Sequence, residues 1–227
     1  IYIKILNSKV YKLIMKILAI QNRMGIGDTV IFLPYLEAIS KKFNTPISIL
    51  VKKNSKAEQF LNQTSYIDKI IFLERGKQKE DGHDGVIGSI RLIRDLKKYK
   101  FDKIFIFNSS LRFNLIAKLS NIKKIYQYPL FKKTNQHITQ PAKTLIKESL
   151  GIEVFDNPKI QISNDLIEKA ISKFDINNSN LNILLGIGGS GPTKRIPSKT
   201  FLLVMEKIHK LKKCKFFLAT GTNEDEQ

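Results

Sequence analysis

The sequence contains a single cysteine, Cys214, so an internal disulfide is excluded and nothing indicates an oxidising compartment. No run of about 18 or more uncharged apolar residues is present, which argues against a membrane-spanning helix. Residues 1–14 are apolar but interrupted by lysines, and they lack the unbroken apolar stretch and small-residue cleavage site of a signal peptide. They fit either an interfacial amphipathic helix or a segment outside the native fold.

Acidic residues are scarce relative to basic ones: 20 Asp and Glu stand against 39 Lys and Arg, a formal net charge of +19. Such a field favours anionic partners, for example nucleic acid, an anionic membrane surface or a phosphorylated sugar. The alternative is compositional, because lysine is abundant together with isoleucine and asparagine and much of it can be solvated surface. With 227 residues, 42% of them hydrophobic, the chain is long enough for one domain and part of another.

Short β-branched runs alternate with longer helical patterns. Strands are predicted at residues 17–21, 47–51, 69–73, 103–108 and 124–128. Helices are predicted after the first strand through Phe43 and at residues 55–62, 90–99, 111–119 and 142–150, with loops over 75–88 and 129–139. This alternation is typical of βαβ units in a parallel sheet covered on both faces. The fold class predicted for residues 15–157 is therefore α/β, as a Rossmann-like domain.

The alternation restarts near the end of the chain. The sequence predicts a strand-like stretch at 159–163, a helix opened by Asn164 as N-cap and running to about Phe174, and a polar turn-rich segment from Asp175 to Asn180. A strand at 182–186, a helix at 198–211 and a strand at 215–219 follow. We therefore expect an extension at 1–14, a first domain at 15–157, a connecting segment at 158–180 and a truncated second Rossmann-like domain at 181–227.

The turn after the first strand is the first candidate site. Gly25 and Gly27 allow a sharp turn and a close approach of the backbone to a ligand, and ligands of open α/β sheets bind at the carboxyl ends of strands. Asp28 falls at or near a helix N-terminus, where free N–H groups and the helix dipole stabilise a carboxylate. It suits either a general base or a plain helix cap. The third glycine of the dinucleotide fingerprint is missing, so a dehydrogenase is weakly supported.

A glycine-rich loop at residues 186–197 is the second candidate site. Its successive backbone N–H groups can form an anion-binding nest, to which Ser190, Thr193, Lys194 and Arg195 add donors and positive charge. This composition suits a diphosphate, although the Walker A spacing is absent. A flexible glycine linker with surface lysines is the alternative.

Three further positions carry polar side chains of interest. Arg112, in the segment Asn108 to Arg112, suits either an acidic ligand group or an ordinary surface role on a helix capped by Ser109 or Ser110. His83 lies between Asp81 and Asp84 without recognisable metal-ligand spacing, so no metal site is predicted. His137, alone in a loop, is more typical of a structural histidine.

These motifs, taken in order, resemble glycosyltransferase family 9, the ADP-heptose:lipopolysaccharide heptosyltransferases. The stretch Met15 to Phe43 is similar to the family's first strand, glycine-aspartate turn and proline-containing helix, with Pro34 in place. Residues 66–71, 101–119, 137–151 and 184–201 resemble later family segments. Gly25, where many members have serine, and the loop GIGGSGPTK depart from the pattern and leave the sugar and the acceptor open.

The resemblance implies a GT-B fold with an acceptor-binding domain at 15–157 and the start of a donor domain at 181–227. It implies inverting transfer of heptose from a nucleotide sugar of the ADP type to a lipid-anchored core oligosaccharide, without cofactor or metal. Asp28 would be the general base. The acceptor would be bound by Gly25, Gly27 and Arg112. Ser190, Thr193 and Lys194 would bind the donor phosphates, and Glu224 the nucleotide. The protein is expected in the cytoplasm or on the anionic inner-membrane surface, and this chain alone is expected to be inactive.

Two rival functions stay open at this level. The net charge suits a non-enzymatic nucleic-acid-binding protein, but the lysines are spread along the chain and no recognised nucleic-acid motif is present, so nucleic acid is not the expected partner. The two-domain pattern also suits another sugar-nucleotide enzyme, such as an epimerase, which needs no acceptor.

Overall fold

The computed structural model describes residues 15–23, 25–74, 82–130, 136–155, 157–177, 179–188 and 195–221. Two units are distinguished, the first ending at Ile162 and the second beginning at Ser163. The helices and strands of the first unit are, in order, β1 (Ile17–Ile20), α1 (Ile26–Phe43), β2 (Ile47–Lys52), a 3-10 turn (Lys53–Ser55), α2 (Glu58–Leu61), β3 (Ile67–Leu73), α3 (Gly85–Tyr99), β4 (Lys103–Ile106), α4 (Leu111–Leu119), β5 (Lys124–Gln127) and α5 (Thr139–Leu150). Those of the second are α6 (Asn164–Phe174), β6 (Leu181–Gly186), α7 (Ser198–Leu211) and β7 (Cys214–Ala219).

The first unit is built on a five-stranded parallel sheet in the order β3-β2-β1-β4-β5. The chain proceeds outward from β1 through β2 to β3, then returns to place β4 on the other side of β1. Ile20 is in register with Leu50 of β2 and with Ile106 of β4. The strand order therefore reverses between β1 and β4. The Rossmann-like parallel sheet predicted from the sequence is confirmed.

Both faces of this sheet are covered, which explains why its central strands are apolar without alternation. Ile17 and Ala19 face a core cluster that includes residues of α1 and α5. Leu18 and Ile20 face a second cluster that includes residues of α3 and α4. Successive side chains of a strand point to opposite faces, so the four residues of β1 serve both cores and all are buried.

Helix α1 continues through Pro34 to Phe43, as predicted. A proline inside a helix removes one backbone hydrogen bond, which costs about 3 kcal/mol in an exposed helix. Here the flanking turns are held by packing: Phe32 and Tyr35 are fully buried, and both rings contact Phe107. Tertiary contacts thus keep the helix continuous across the proline.

Two predicted boundaries are wrong in the same direction. Helix α3 begins at Gly85, within the stretch predicted as a loop, and α5 begins at Thr139 rather than at residue 142. The first turn of α3 exposes Val86 and Ile87, so it lacks the apolar face that marks a helix in the sequence. In α3 the hydrophobic pattern identified only the part of the helix that carries the buried Leu92 and Leu96.

The strand-like stretch predicted at residues 159–163 forms no strand in the described residues. Its apolar side chains, Ile160 and Ile162, are exposed, and the described residues provide no neighbouring strand to pair with it.

The N-cap of α6 is Ser163 rather than Asn164, because the Ser163 hydroxyl accepts a hydrogen bond from the Leu166 N–H at 3.4 Å.

The second unit contains a parallel pair, β6 and β7, in which Leu181 is in register with Cys214. Lys215 on β7 donates to the carbonyl oxygens of Phe174 and Asp175 at 3.0 and 2.7 Å, and its ammonium lies 3.0 Å from the Asp175 carboxylate. A cation at a helix C-terminus complements the helix dipole and the unsatisfied carbonyl groups. This contact attaches the end of α6 to the pair. No helix in the described ranges is long and apolar enough to cross a membrane.

Candidate functional site

The candidate site lies where the strand order reverses, at the carboxyl ends of β1 and β4. Asn22 follows β1 and Asn108 follows β4, and the Asn108 side-chain amide donates to the Asn22 side-chain oxygen at 3.3 Å. The turn after β1 and the segment from Asn108 to Arg112, both singled out in the sequence, are therefore brought together. Ligands of open α/β sheets bind at this kind of reversal, because the two loops diverge and leave a crevice between them.

A cavity of about 400 Å³ occupies this position. The residues around it include Asn22, Arg23, Phe32, Asn108, Ser109 and Tyr128. A second cavity, of about 230 Å³, shares Ser109 and Tyr128 with it and extends along α5. The lining combines an aromatic floor with amide, hydroxyl and guanidinium groups, which is the composition expected for a polar ligand such as a sugar.

Asp28 lies in the first turn of α1, immediately beyond this cavity's lining. Phe32 lines the cavity, and residues four apart share a helix face, so Asp28 is one turn closer to the carboxyl edge on the same face. The N-cap position is Gly25, and no side chain caps the helix there. A Cβ atom at Gly25 would stand 3.2 Å from an Asp28 carboxylate oxygen, so glycine leaves room beside that carboxylate. No Cβ clash arises at Gly27.

The loop between β4 and α4 is held by side-chain hydrogen bonds. Gln127, the last residue of β5, donates to the carbonyl oxygens of Asn108 and Ser110 at 3.0 and 2.9 Å. The Asn108 side chain also accepts from the Ser110 N–H at 3.0 Å. Ser110 is at the N-cap position of α4 but makes no side-chain capping bond. Asn108 and Gln127 therefore fix the loop, a role that the sequence did not indicate.

Tyr128 is the cavity residue that the sequence analysis missed most completely. Its hydroxyl oxygen is buried and has no hydrogen-bond partner among the described residues. Burial raises the pKa of the Tyr128 phenol above its ordinary value, and the nearby positive charge of Arg23 opposes this only in part. The phenol therefore remains a neutral donor in the cavity lining. The sequence feature that could have identified it is its position directly after β5, because the carboxyl end of β5 lies at the same edge of the sheet as that of β4, which precedes Asn108.

Arg112 does not line this cavity. Its Nε donates to the Ser89 hydroxyl at 2.8 Å, and its guanidinium also donates to the His83 carbonyl oxygen. These bonds direct the side chain towards the start of α3, where it lines a separate groove between α3 and α4. The acceptor role of Arg112 stays a prediction, and the structure shows a bond from this residue to each of two neighbouring segments.

His83 has structural partners. Its Nδ1 accepts from the Glu74 N–H at 3.1 Å, which leaves the hydrogen on Nε2, 3.3 Å from an Asp95 carboxylate oxygen. Of the two aspartates weighed with His83 for metal binding, Asp84 is the N-cap residue of α3 and Asp81 lies outside the described residues. Within the described ranges no group of three or more His, Cys, Asp or Glu side chains is arranged to hold a metal. His137 similarly bonds to the Thr139 hydroxyl at 2.8 Å, at the start of α5.

Acid stability should depend on Asp95. Burial works to raise the pKa of its carboxyl, but hydrogen bonds from Lys98 and His83 outweigh it and hold the pKa below the ordinary value of 3.8. A lowered pKa contributes stability that is present above about pH 4 and lost as the pH falls through the folded-state pKa. Asp95→Asn should therefore flatten the acid side of a melting-temperature profile between about pH 2 and 6. An unchanged slope would contradict this, and Lys98→Met should give an intermediate slope.

The sequence matches no protein-family model and no curated protein. Solved structures do match. A glycosyl transferase family 9 structure from Veillonella parvula DSM 2008 aligns with 93% of this chain at a TM-score of 0.72 and 17% identity. The Escherichia coli ADP-heptose LPS heptosyltransferase II aligns with 93% at 0.67 and 14% identity. The fold is that of the GT-B glycosyltransferases.

A third GT-B structure, the E. coli heptosyltransferase WaaC solved with ADP-2-deoxy-2-fluoro heptose, aligns with 93% of the chain at a TM-score of 0.59 and 12% identity. The chain spans 64%, 66% and 71% of the lengths of these three proteins. The GT-B fold class predicted from the sequence is therefore confirmed.

On the donor side of the predicted site, the structure describes the flanking strand and helix but not the predicted binding residues. Ser190, Thr193, Lys194 and Glu224 lie outside the described residues, so their assignments to donor phosphates and nucleotide stay predictions. The flanking elements are described: β6 ends at Gly186 before the glycine-rich loop, and α7 begins at Ser198 after it. The strand predicted before this segment and the helix predicted after it are thus confirmed.

Proposed function

We propose that this chain carries the acceptor-binding domain and part of the donor-binding domain of an inverting glycosyltransferase. The observation that supports this best is the position of Asp28. It presents a carboxylate one helical turn beyond a polar cavity, at the strand-order reversal of a GT-B fold. A carboxylate placed there has access both to a sugar in the cavity and to a donor arriving at the carboxyl edge.

In the proposed reaction the cavity holds a sugar acceptor, with Asn22, Asn108 and Tyr128 available to its hydroxyl groups. Asp28 removes the proton from the acceptor hydroxyl as that oxygen attacks the anomeric carbon of the donor. The carbon–oxygen bond to the nucleoside diphosphate breaks on the opposite side, so the configuration is inverted. Lys194, with Ser190 and Thr193, stabilises the charge on the departing diphosphate, and Glu224 contacts the nucleotide.

The finer proposal is that the donor is a heptose-bearing nucleotide sugar of the ADP type and the acceptor a lipid-anchored lipopolysaccharide core oligosaccharide. Similarity of fold to two heptosyltransferases supports this proposal. The formal charge of +19 is favourable for phosphorylated substrates and for an anionic membrane surface. We place the protein in the cytoplasm or on that surface.

The decisive experiment is product analysis with the full-length protein and ADP-heptose, with and without a core oligosaccharide acceptor. A transferase releases ADP in step with acceptor glycosylation, and the new linkage has the inverted anomeric configuration. A sugar-nucleotide epimerase would instead convert the donor without acceptor. Tight, steeply salt-dependent binding of DNA or RNA with no sugar turnover would favour the nucleic-acid alternative.

A further inference from the structure

Helices α3 and α4 carry large aliphatic side chains on their outer surfaces. The exposed fractions range from 44% for Leu111 to 79% for Val86. The set, which we name the α3–α4 surface, comprises Val86, Ile87, Ile90, Leu111, Leu115 and Leu119. Scattered exposed aliphatics are ordinary, but a contiguous group on neighbouring helices marks an interaction site.

The spacing of these residues makes the surface continuous. Val86 and Ile90 are four residues apart on α3, and Leu111, Leu115 and Leu119 follow each other at the same spacing on α4, so each set forms one stripe. A groove of about 560 Å³ runs between the two helices.

The hydrophobic core uses other side chains of the same helices. Leu92 and Leu96 of α3, with Phe113 and Ile116 of α4, are buried against the sheet. The exposed stripes are therefore additional to what folding requires.

The charge around this surface is predominantly positive, although the acidic Asp84, at the N-cap of α3, also lines the groove. Helices α3 and α4 contain six basic residues, Arg91, Arg94, Lys97, Lys98, Arg112 and Lys118, and one acidic residue, Asp95. That acid is already engaged with Lys98 and His83. An anionic partner with an apolar interior would match both the charge and the aliphatic stripes.

The α3–α4 surface also adjoins the candidate site. Helices that follow parallel strands begin at the carboxyl edge of the sheet, so Val86 and Leu111 lie towards that edge. Ser109 lines the cavity and Arg112 lines the groove, and α4 begins between them. A partner bound to this surface therefore stands next to the cavity.

We propose that the α3–α4 surface docks on a lipid bilayer containing anionic headgroups. The aliphatic stripes enter the boundary between headgroups and acyl chains, and the exposed side chains of Arg94, Lys97 and Lys118 pair with the headgroups. A bilayer fits this surface because it presents anionic headgroups directly above an apolar interior, which matches the exposed basic side chains beside the aliphatic stripes. This proposal rests on the anionic membrane surface named under the proposed function, and it identifies the residues that make the contact. Binding to vesicles is measured without any sugar substrate, so its failure is distinguishable from a failure of the transfer reaction.

Vesicle flotation of the full-length protein tests the proposal. Binding to vesicles of phosphatidylglycerol and phosphatidylcholine should greatly exceed binding to phosphatidylcholine alone. Ile90→Glu should lower the partition coefficient about tenfold or more, because it places a charge in the inserted stripe. Arg94→Gln with Lys97→Gln should lower it roughly 30-fold, since each basic residue near the surface contributes about 1 kcal/mol.

The matched control is Lys41→Gln with Lys42→Gln, the same charge change in the last turn of α1, whose buried residues face the opposite side of the sheet. Phe155→Glu serves as the apolar control, because Phe155 is exposed and its neighbour Val154 packs against the core cluster on the other face of the sheet. Binding that survives Ile90→Glu, or that falls equally in the controls, would overturn the proposal. So would a wild-type dimer that Ile90→Glu converts to monomer without any effect on vesicle binding.

Discussion

Asp28→Asn should lower the turnover number for sugar transfer by about a hundredfold to ten-thousandfold, the range lost when a general base is removed. The substitution keeps the shape of the side chain but leaves nothing to accept the acceptor proton. Donor affinity should change little, because the predicted phosphate-binding residues belong to the other unit. Steady-state kinetics with the full-length protein, together with equilibrium binding of the nucleotide sugar, provide the two measurements.

The matched control for this experiment is Glu37→Gln, which removes the same charge from α1 at a position remote from the cavity. Glu37 forms an ion pair with Lys41 on the exposed side of the helix. The Glu37→Gln substitution should therefore leave the turnover number unchanged. A wild-type rate for Asp28→Asn would exclude the base role. An equal loss in both variants would indicate a general effect of charge rather than a reaction step.

Gly25→Ala probes the space beside the same carboxylate. The added methyl carbon would stand 3.2 Å from the carboxylate oxygen, closer than most real contacts, so Asp28 would have to shift by a few tenths of an ångström. This geometry also gives a physical reason for the glycine, at a position where many members of the heptosyltransferase family that the sequence resembles have serine. The backbone at Gly25 is extended, so any residue can adopt its conformation and proximity alone is the constraint.

Gly88→Ala should destabilise the first unit by about 1–3 kcal/mol or more, the cost of overpacking a site that cannot relax. A Cβ at residue 88 would lie 2.8 Å from both the Cα and the carbonyl oxygen of His83 and would also contact its carbonyl carbon. These are backbone atoms, and they are fixed by hydrogen bonds of His83 to Glu74 and Arg112. Urea unfolding followed by far-ultraviolet circular dichroism measures the change.

Gly27→Ala is the control for this stability prediction, because it is also a glycine in the first turns of a helix. Apart from its chain neighbours and the backbone of its own helix, no atom lies within 4 Å of the added carbon. Alanine should therefore be neutral or slightly stabilising there. If Gly88→Ala proved as stable as the wild type, α3 could not approach His83 as closely as the structure shows.

The sequence identified the helices and strands wherever the spacing of apolar residues matches the geometry of the element. The four buried residues of β1 and the apolar positions of α1 gave patterns strong enough to place both elements, even across Pro34. It failed for the first turn of α3, where the aliphatic residues point outward. It failed also at residues 159–163, whose apolar alternation meets no neighbouring strand among the described residues. A local pattern records side-chain character but not the partner that makes the pattern a strand.

By itself, the sequence determined the α/β class, the parallel sheet, the position of Asp28 after a glycine turn, and the strand and the helix on either side of the glycine-rich segment. Only the tertiary structure decided which loops meet. Asn22 and Asn108 are 86 positions apart and touch because β4 is inserted beside β1, and Tyr128 reaches the same cavity because β5 is next in the sheet. Arg112 follows Asn108 by four residues, yet its side chain is directed to α3. Strand order and helix packing are long-range choices, so they decide which side chains share a site.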